Sequence, residues 1–114
     1  MKIVPFVDKG SEYRWRLLAD NGRVMADSAE GYESLTNVFR GIDNFLSELY
    51  SGRFEFDEYK DRKGEHRWRV KDLNGLIIAD SGEGYKTKAS VKRAIATLSE
   101  QTEKQSIVVV TDAL

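Results

Sequence analysis

The sequence predicts an α+β fold made of two copies of one β-β-β-α unit, and internal repetition, strand alternation and helical spacing each point that way. A shift of 53 residues lays Arg14-Trp15-Arg16 on Arg67-Trp68-Arg69 and Asn21-Gly22 on Asn74-Gly75 without a gap. Ala26-Asp27-Ser28 then falls on Ala79-Asp80-Ser81, and Glu30-Gly31-Tyr32 on Glu83-Gly84-Tyr85. Tyr13 to Leu17 and His66 to Val70 alternate aromatic or aliphatic residues with arginine, the period-two pattern of a half-buried strand. Val38, Ile42, Phe45 and Leu49, and again Val91, Ile95 and Leu98, recur at the spacing of one helix face.

Each copy opens on a strand, clearest at Phe54-Glu55-Phe56, with Met1-Lys2-Ile3 as its counterpart. Pro5 is expected to end or bulge that first strand, since it has no N–H for a ladder. Polar turns follow at Asp8 to Ser11 and Asp61 to Gly64, and then the arginine-bearing second strands. Asn21-Gly22 and Asn74-Gly75 predict type I′ hairpins, with positive φ at both central residues. The third strands run over Val24 to Ala26 and Ile77 to Ala79. The glycines ahead of Tyr32 and Tyr85 read as a strand-to-helix turn needing positive φ. Ser34 and Thr87 are placed to cap the helices, their hydroxyls accepting from first-turn amides.

After the second helix, Ile107-Val108-Val109-Val110 is β-branched and falls in the first-strand position of a third copy. A strand there can pair across to the first copy and tie the halves into one antiparallel sheet, with both helices on one face. The organisation expected is one domain over 1–114, with repeats at 1–52 and 53–106 and a closing strand at 107–112.

These residues resemble the YegP-like family, a domain of unknown function found singly or in tandem. The resemblance is carried by Trp-Arg flanked by arginine, Asn-Gly, Ile77-Ile78-Ala79-Asp80-Ser81-Gly82-Glu83-Gly84-Tyr85 and a capped helix. The first copy departs from it, with Ala29 for the first loop glycine and Val24-Met25 for Ile-Ile. The resemblance implies two β-β-β-α-β units that build a single antiparallel sheet and exchange terminal strands. It implies no activity, catalytic residue or cofactor.

At 114 residues, 32% charged and 40% hydrophobic, the chain reads as an ordinary globular domain. A formal net charge of −1 gives no general pull toward nucleic acid or an anionic membrane, and the absence of cysteine removes disulfides and thiolate chemistry. The short apolar run at Met1 to Phe6 is too brief for a signal peptide, and no segment is long enough to span a membrane, so the expectation is a cytoplasmic monomer with internal pseudo-twofold symmetry.

Four arginines are the candidate site. Alternation places Arg14, Arg16, Arg67 and Arg69 on the sheet face opposite Trp15 and Trp68. Were the two second strands close, their guanidiniums would form a patch for phosphate, carboxylate or single-stranded nucleic acid. The other reading is cross-strand ion pairing. The Ser81 to Tyr85 loop and its counterpart at Ser28 to Tyr32 can cradle an anion at a helix start, yet lack the spacing of any phosphate-binding fingerprint. Asp27, Asp80, Glu30 and Glu83 show no sign of converging as an acid–base pair, and Asp-Ser at a strand end supplies turn caps. His66, the one histidine, reads as an amphipathic strand residue. No catalytic, metal or cofactor-binding residue is predicted. The leading expectation is therefore a non-enzymatic protein-interaction or structural module, with an anion or single-stranded nucleic-acid binder as alternative.

Overall fold

The computed structural model describes residues 1–104 and 106–114. The elements are β1 (Lys2–Val7), β2 (Tyr13–Leu18), β3 (Val24–Ser28), α1 (Leu35–Ser51), β4 (Phe54–Lys60), β5 (His66–Asp72), β6 (Ile77–Ser81), α2 (Lys88–Lys104) and β7 (Val108–Val109). They form an α+β structure whose seven strands lie in one sheet of order β4-β5-β6-β3-β2-β1-β7. At its centre β3 pairs antiparallel with β6, setting Asp27 opposite Asp80.

The sheet is mixed rather than wholly antiparallel. Among the described residues β7 runs parallel to β1, while the other pairings are antiparallel. The Val108 and Val110 amides donate to the Met1 and Ile3 carbonyls at 3.2 and 2.9 Å. A short β-branched run has the same alternation in either direction, so its sequence carries no sign of which way it pairs.

Pro5 does not break β1 as expected. The β1–β2 register pairs Ile3 with Leu17 and Pro5 with Trp15, and the Asp8 amide continues it by donating to the Glu12 carbonyl at 2.9 Å. Ladder bonds therefore fall on Lys2, Val4, Phe6 and Asp8, and Pro5 points its missing N–H away from β2.

The hairpins also differ from the type I′ expectation. Gly22 and Gly75 take φ of 85° and 82°, but Asn21 and Asn74 keep negative φ. Gly22 N–H donates to the Ala19 carbonyl and Gly75 N–H to the Asp72 carbonyl, closing a type I turn followed by a left-handed glycine. Side chains fix this choice: Asn21 accepts from the Arg23 amide at 3.0 Å, and Asp72 from the Asn74 and Leu76 amides at 2.9 and 3.0 Å. The paired strands bulge in consequence, between Leu17 and Leu18 and between Val70 and Lys71.

Both helices cover the tryptophan face. Ser34 caps α1 by accepting from the Asn37 amide at 3.1 Å, and Thr87 caps α2 by accepting from the Ser90 amide at 3.1 Å. Trp15 and Trp68 are fully buried, the Trp15 ring tilted against Phe45 at 4.7 Å and Trp68 edge-on to Phe56 at 5.7 Å. The buried residues of both halves form one contiguous cluster that includes Leu17, Val70, Ile42 and Leu98. Neither indole N–H meets hydrogen-bond geometry, although that of Trp15 lies near enough to the Tyr32 hydroxyl to offset part of the rise that desolvation gives its pKa; an unpaired buried N–H costs about 1–3 kcal/mol. No described helix is long and apolar enough to cross a membrane.

Candidate functional site on the open sheet face

The helices leave the opposite sheet face uncovered, and alternation sends all four candidate arginines there. They do not gather into one cluster, although Arg14 and Arg67 line a common shallow depression. β2 and β5 are separated by β6 and β3, so the two arginine pairs stand about 14 Å apart, three strand spacings of about 4.8 Å. Each guanidinium is met by a carboxylate: Arg14 by Asp8 at 3.5 Å, Arg16 by Asp27 at 3.3 Å, Arg67 by Asp61 at 2.8 Å and Arg69 by Asp57 at 2.9 Å. Arg16 also lies 4.0 Å over the Phe6 ring and Arg69 4.2 Å over Tyr59. Arg14 and Arg67 each give one further N–H, at 3.2 Å, to the Ser28 and Ser81 carbonyls.

One row crosses the face from β4 to β2: Asp57, Arg69, Asp80, Asp27, Arg16. Its weak point is the centre, where two aspartates are directly opposed. Tyr59 relieves Asp80 by donating to both its oxygens at 2.8 and 3.0 Å. Burial, then that bond to a carboxylate, pushes the Tyr59 phenol up to about 12. Asp27 is raised, chiefly by desolvation, which outweighs its pairing with Arg16 and the charge of Arg14, with the Asp80 charge adding to the rise. The hydrogen bonds from Arg69 and Arg67 instead hold Asp57 and Asp61 below their usual range.

A raised folded pKa means that Asp27 favours the folded state when protonated, and that this contribution is lost as pH rises through its folded pKa. Asp27→Asn is therefore expected to raise stability at pH 7 by about 0.3–0.5 kcal/mol, a small figure because the group is partly solvated. The gain should shrink as pH falls through the raised folded pKa and be gone below the unfolded value of about 3.9, where the aspartate is protonated in both states. Thermal melts at pH 7 and pH 3.5 check this; an equal difference at both would reject it.

The remaining candidates are taken up by the fold. Ser28 and Ser81 are buried, and their hydroxyl oxygens accept from the Trp15 and Trp68 amides at 3.3 Å, Ser28 also donating to the Glu30 carbonyl at 3.0 Å. Glu83 pairs with Arg23 at 3.3 Å. His66 bridges Tyr85 through its backbone. The loop glycines lack the positive φ anticipated for them. Gly31, Gly82 and Gly84 are needed because the side chains of Glu12, Val24 and Glu65 press onto them. No group of three or more possible metal ligands occurs among the described residues.

Sequence reasoning missed two features. Asp57, Asp27 and Tyr59 sit on strands away from the arginines in sequence, and the register and strand order bring them together. The second is the tip of the β5–β6 hairpin, where Leu73 and Leu76 flank Asn74-Gly75 and are 70% and 64% exposed, with Ile77 behind at 40%. The equivalent tip of the first hairpin carries Asp20 and Arg23, so a comparison of the two copies at this turn would have flagged it.

A family model described as "Domain of unknown function (DUF1508)" matches residues 8–44 and 61–108. The chain is similar to a UPF0339 protein of Neisseria meningitidis serogroup B, 49% identical over 47 residues that make up 41% of this chain and 82% of that protein. A UPF0339 protein of Agrobacterium fabrum is 43% identical over 49 residues, 43% of this chain and 77% of its own length. Two solution NMR structures share the fold. A UPF0339 protein from Shewanella oneidensis gives a TM-score of 0.72 at 19% identity, covering 94% of this chain and 88% of that one. The protein of unknown function YegP from Escherichia coli gives 0.68 at 25%, covering 95% and 89%.

Proposed function

The chain belongs to the DUF1508 family, a domain of unknown function, and from that premise and the surface just described we propose that it is a non-catalytic protein-interaction module, monomeric and cytoplasmic, built from two units that exchange their closing strands. The duplication is supported by the central register, in which Ala26 faces Ser81, Asp27 faces Asp80 and Ser28 faces Ala79, as a twofold through Asp27–Asp80 requires. It is supported too by relatives that are matched over most of their length yet cover less than half of this chain. In the exchange, β4 follows α1 of the first unit and lies on β5 of the second, and β7 follows α2 and lies on β1.

The interaction role rests on the β5–β6 hairpin. It presents Leu73, Leu76 and Ile77 together to solvent, while the charged face beside it is neutralised from within. Leu73→Asp with Leu76→Asp is expected to leave stability within about 0.5 kcal/mol, since both side chains are exposed. Recovery of a protein partner by affinity capture from native lysate should fall at least about tenfold. An identical set of captured proteins for both chains would reject the hairpin as the contact.

A second reading keeps the arginines as an anion or single-stranded nucleic-acid surface. It is favoured by one observation: Arg14 and Arg67 line the same shallow depression with Asp27, Asp80 and Ile77. Titration of the labelled protein with phosphate and with a short oligonucleotide at low salt, where such binding is strongest, decides it. Shifts on β2 and β5 support it, and their absence removes it.

A further inference from the structure

The two ends of the sheet are unlike. The outer edge of β1 is covered by β7, whereas among the described residues β4 pairs only with β5. Under the 53-residue shift β4 stands in the place of β1, with Phe54 for Met1, Phe56 for Ile3 and Glu58 for Pro5. The registers agree as well: Ile3 faces Leu17 and Phe56 faces Val70, and the Asp61 amide donates to the Glu65 carbonyl at 2.9 Å as Asp8 does to Glu12. Ladder bonds alternate along an antiparallel strand, so Asp57 and Tyr59 bond to β5 while Phe56, Glu58 and Lys60 turn their amides outward, where no strand of the described residues meets them.

Burial and sequence both mark this edge as different from its covered counterpart. Ile3, beside β7, is wholly buried, but Phe54 and Phe56 are only half-buried. On β1 the covering strand is two residues long, and the next outward position is Pro5, which has no N–H to give. On β4 that position is Glu58, so the ladder of free donors runs on to Lys60.

We propose that the outer edge of β4 is a docking site for an extended segment of a partner protein, which adds a strand parallel to β4. The chain's own β7 on β1 is the template for the mode. It calls for β-branched side chains at alternate positions, packed beside Phe54 and Phe56 on the helix side. Charge defines the rest. Asp57 is already met by Arg69 and Lys71 and Glu58 by Lys92, whereas the exposed Glu55 has no ion-pair partner among the described residues. The incoming segment therefore carries a basic residue toward Glu55. A second copy of β4 set antiparallel about Asp57 or Glu58 would bring carboxylate against carboxylate, so the occupant proposed is a different sequence. This site is separate from the leucine hairpin and stands or falls without it.

The test uses the whole protein, isotope-labelled, and a synthetic peptide of residues 106–111 of this chain with a lysine added at each end. The expected result is shifted, slowly exchanging amides at Phe56, Glu58 and Lys60, unchanged in Leu76→Asp. Glu58→Pro removes one outward donor at a place where β1 already holds a proline, so the fold should persist; peptide binding should weaken at least about tenfold, the worth of one good hydrogen bond. Glu58→Gln should keep it. Shifts confined to β1 and β7, no shifts, undiminished binding to a folded Glu58→Pro, or β4 protection in a peptide-free dimer would each overturn the proposal. If Glu58→Pro does not fold, amide protection in the unaltered protein decides.

Discussion

Trp15→Ala is expected to lower folding free energy by about 3–5 kcal/mol, a large part of the 5–15 kcal/mol that holds a domain of this size. The indole is fully buried and packs at a tilt 4.7 Å from Phe45, so truncation removes a wide apolar surface and leaves a cavity between β2 and α1. Urea denaturation should be followed by the fluorescence of the remaining Trp68. That residue belongs to the other half of the sequence but to the same buried cluster. With one shared core, the Trp68 transition moves to lower urea together with the circular dichroism signal. A Trp68 transition left at its original midpoint would mean two halves folding separately.

Gly41→Ala has the second largest expected effect, because its sign runs against helix propensity. Gly41 lies inside α1, where alanine is ordinarily favoured by about 1 kcal/mol. Here a methyl group would overlap the Tyr32 hydroxyl and ring, which lie against the helix backbone at that point. Tyr32 is half-buried, and desolvation raises its phenol above the ordinary value. Displacing the ring should cost about 1–3 kcal/mol net, in the range of overpacking changes. In a Tyr32→Ala background the same substitution should turn neutral or stabilising. Thermal melts of the four proteins in this cycle check it, and a stabilising Gly41→Ala in the parent chain would refute the tight contact. The second half takes the other solution: Ala94 replaces the glycine, and Tyr85 lies under Arg23, 5.1 Å from the guanidinium.

The candidate site was half legible. Alternation with Trp15 and Trp68 sent the arginines to the open face, because that pattern is written by burial on the other side. Their partners were not legible. Asp57 and Asp27 lie 12 and 11 positions from Arg69 and Arg16 on adjacent strands, and nothing local marks the pairing. Tyr59 reaches Asp80 across β5, a contact that requires strand order as well as strand identity.

What the sequence determined alone has a short range: strand and helix types, the caps at Ser34 and Thr87, and the inward indoles. Each depends on residues a few positions apart, so each leaves a periodic or capping signature. Tertiary structure decided the rest. It made β3 and β6 central neighbours, turned β7 parallel to β1, let Pro5 sit on an outward edge without breaking its strand, and left β4 uncovered. Those outcomes depend on which distant segments meet, and period two reads the same whichever neighbour a strand acquires.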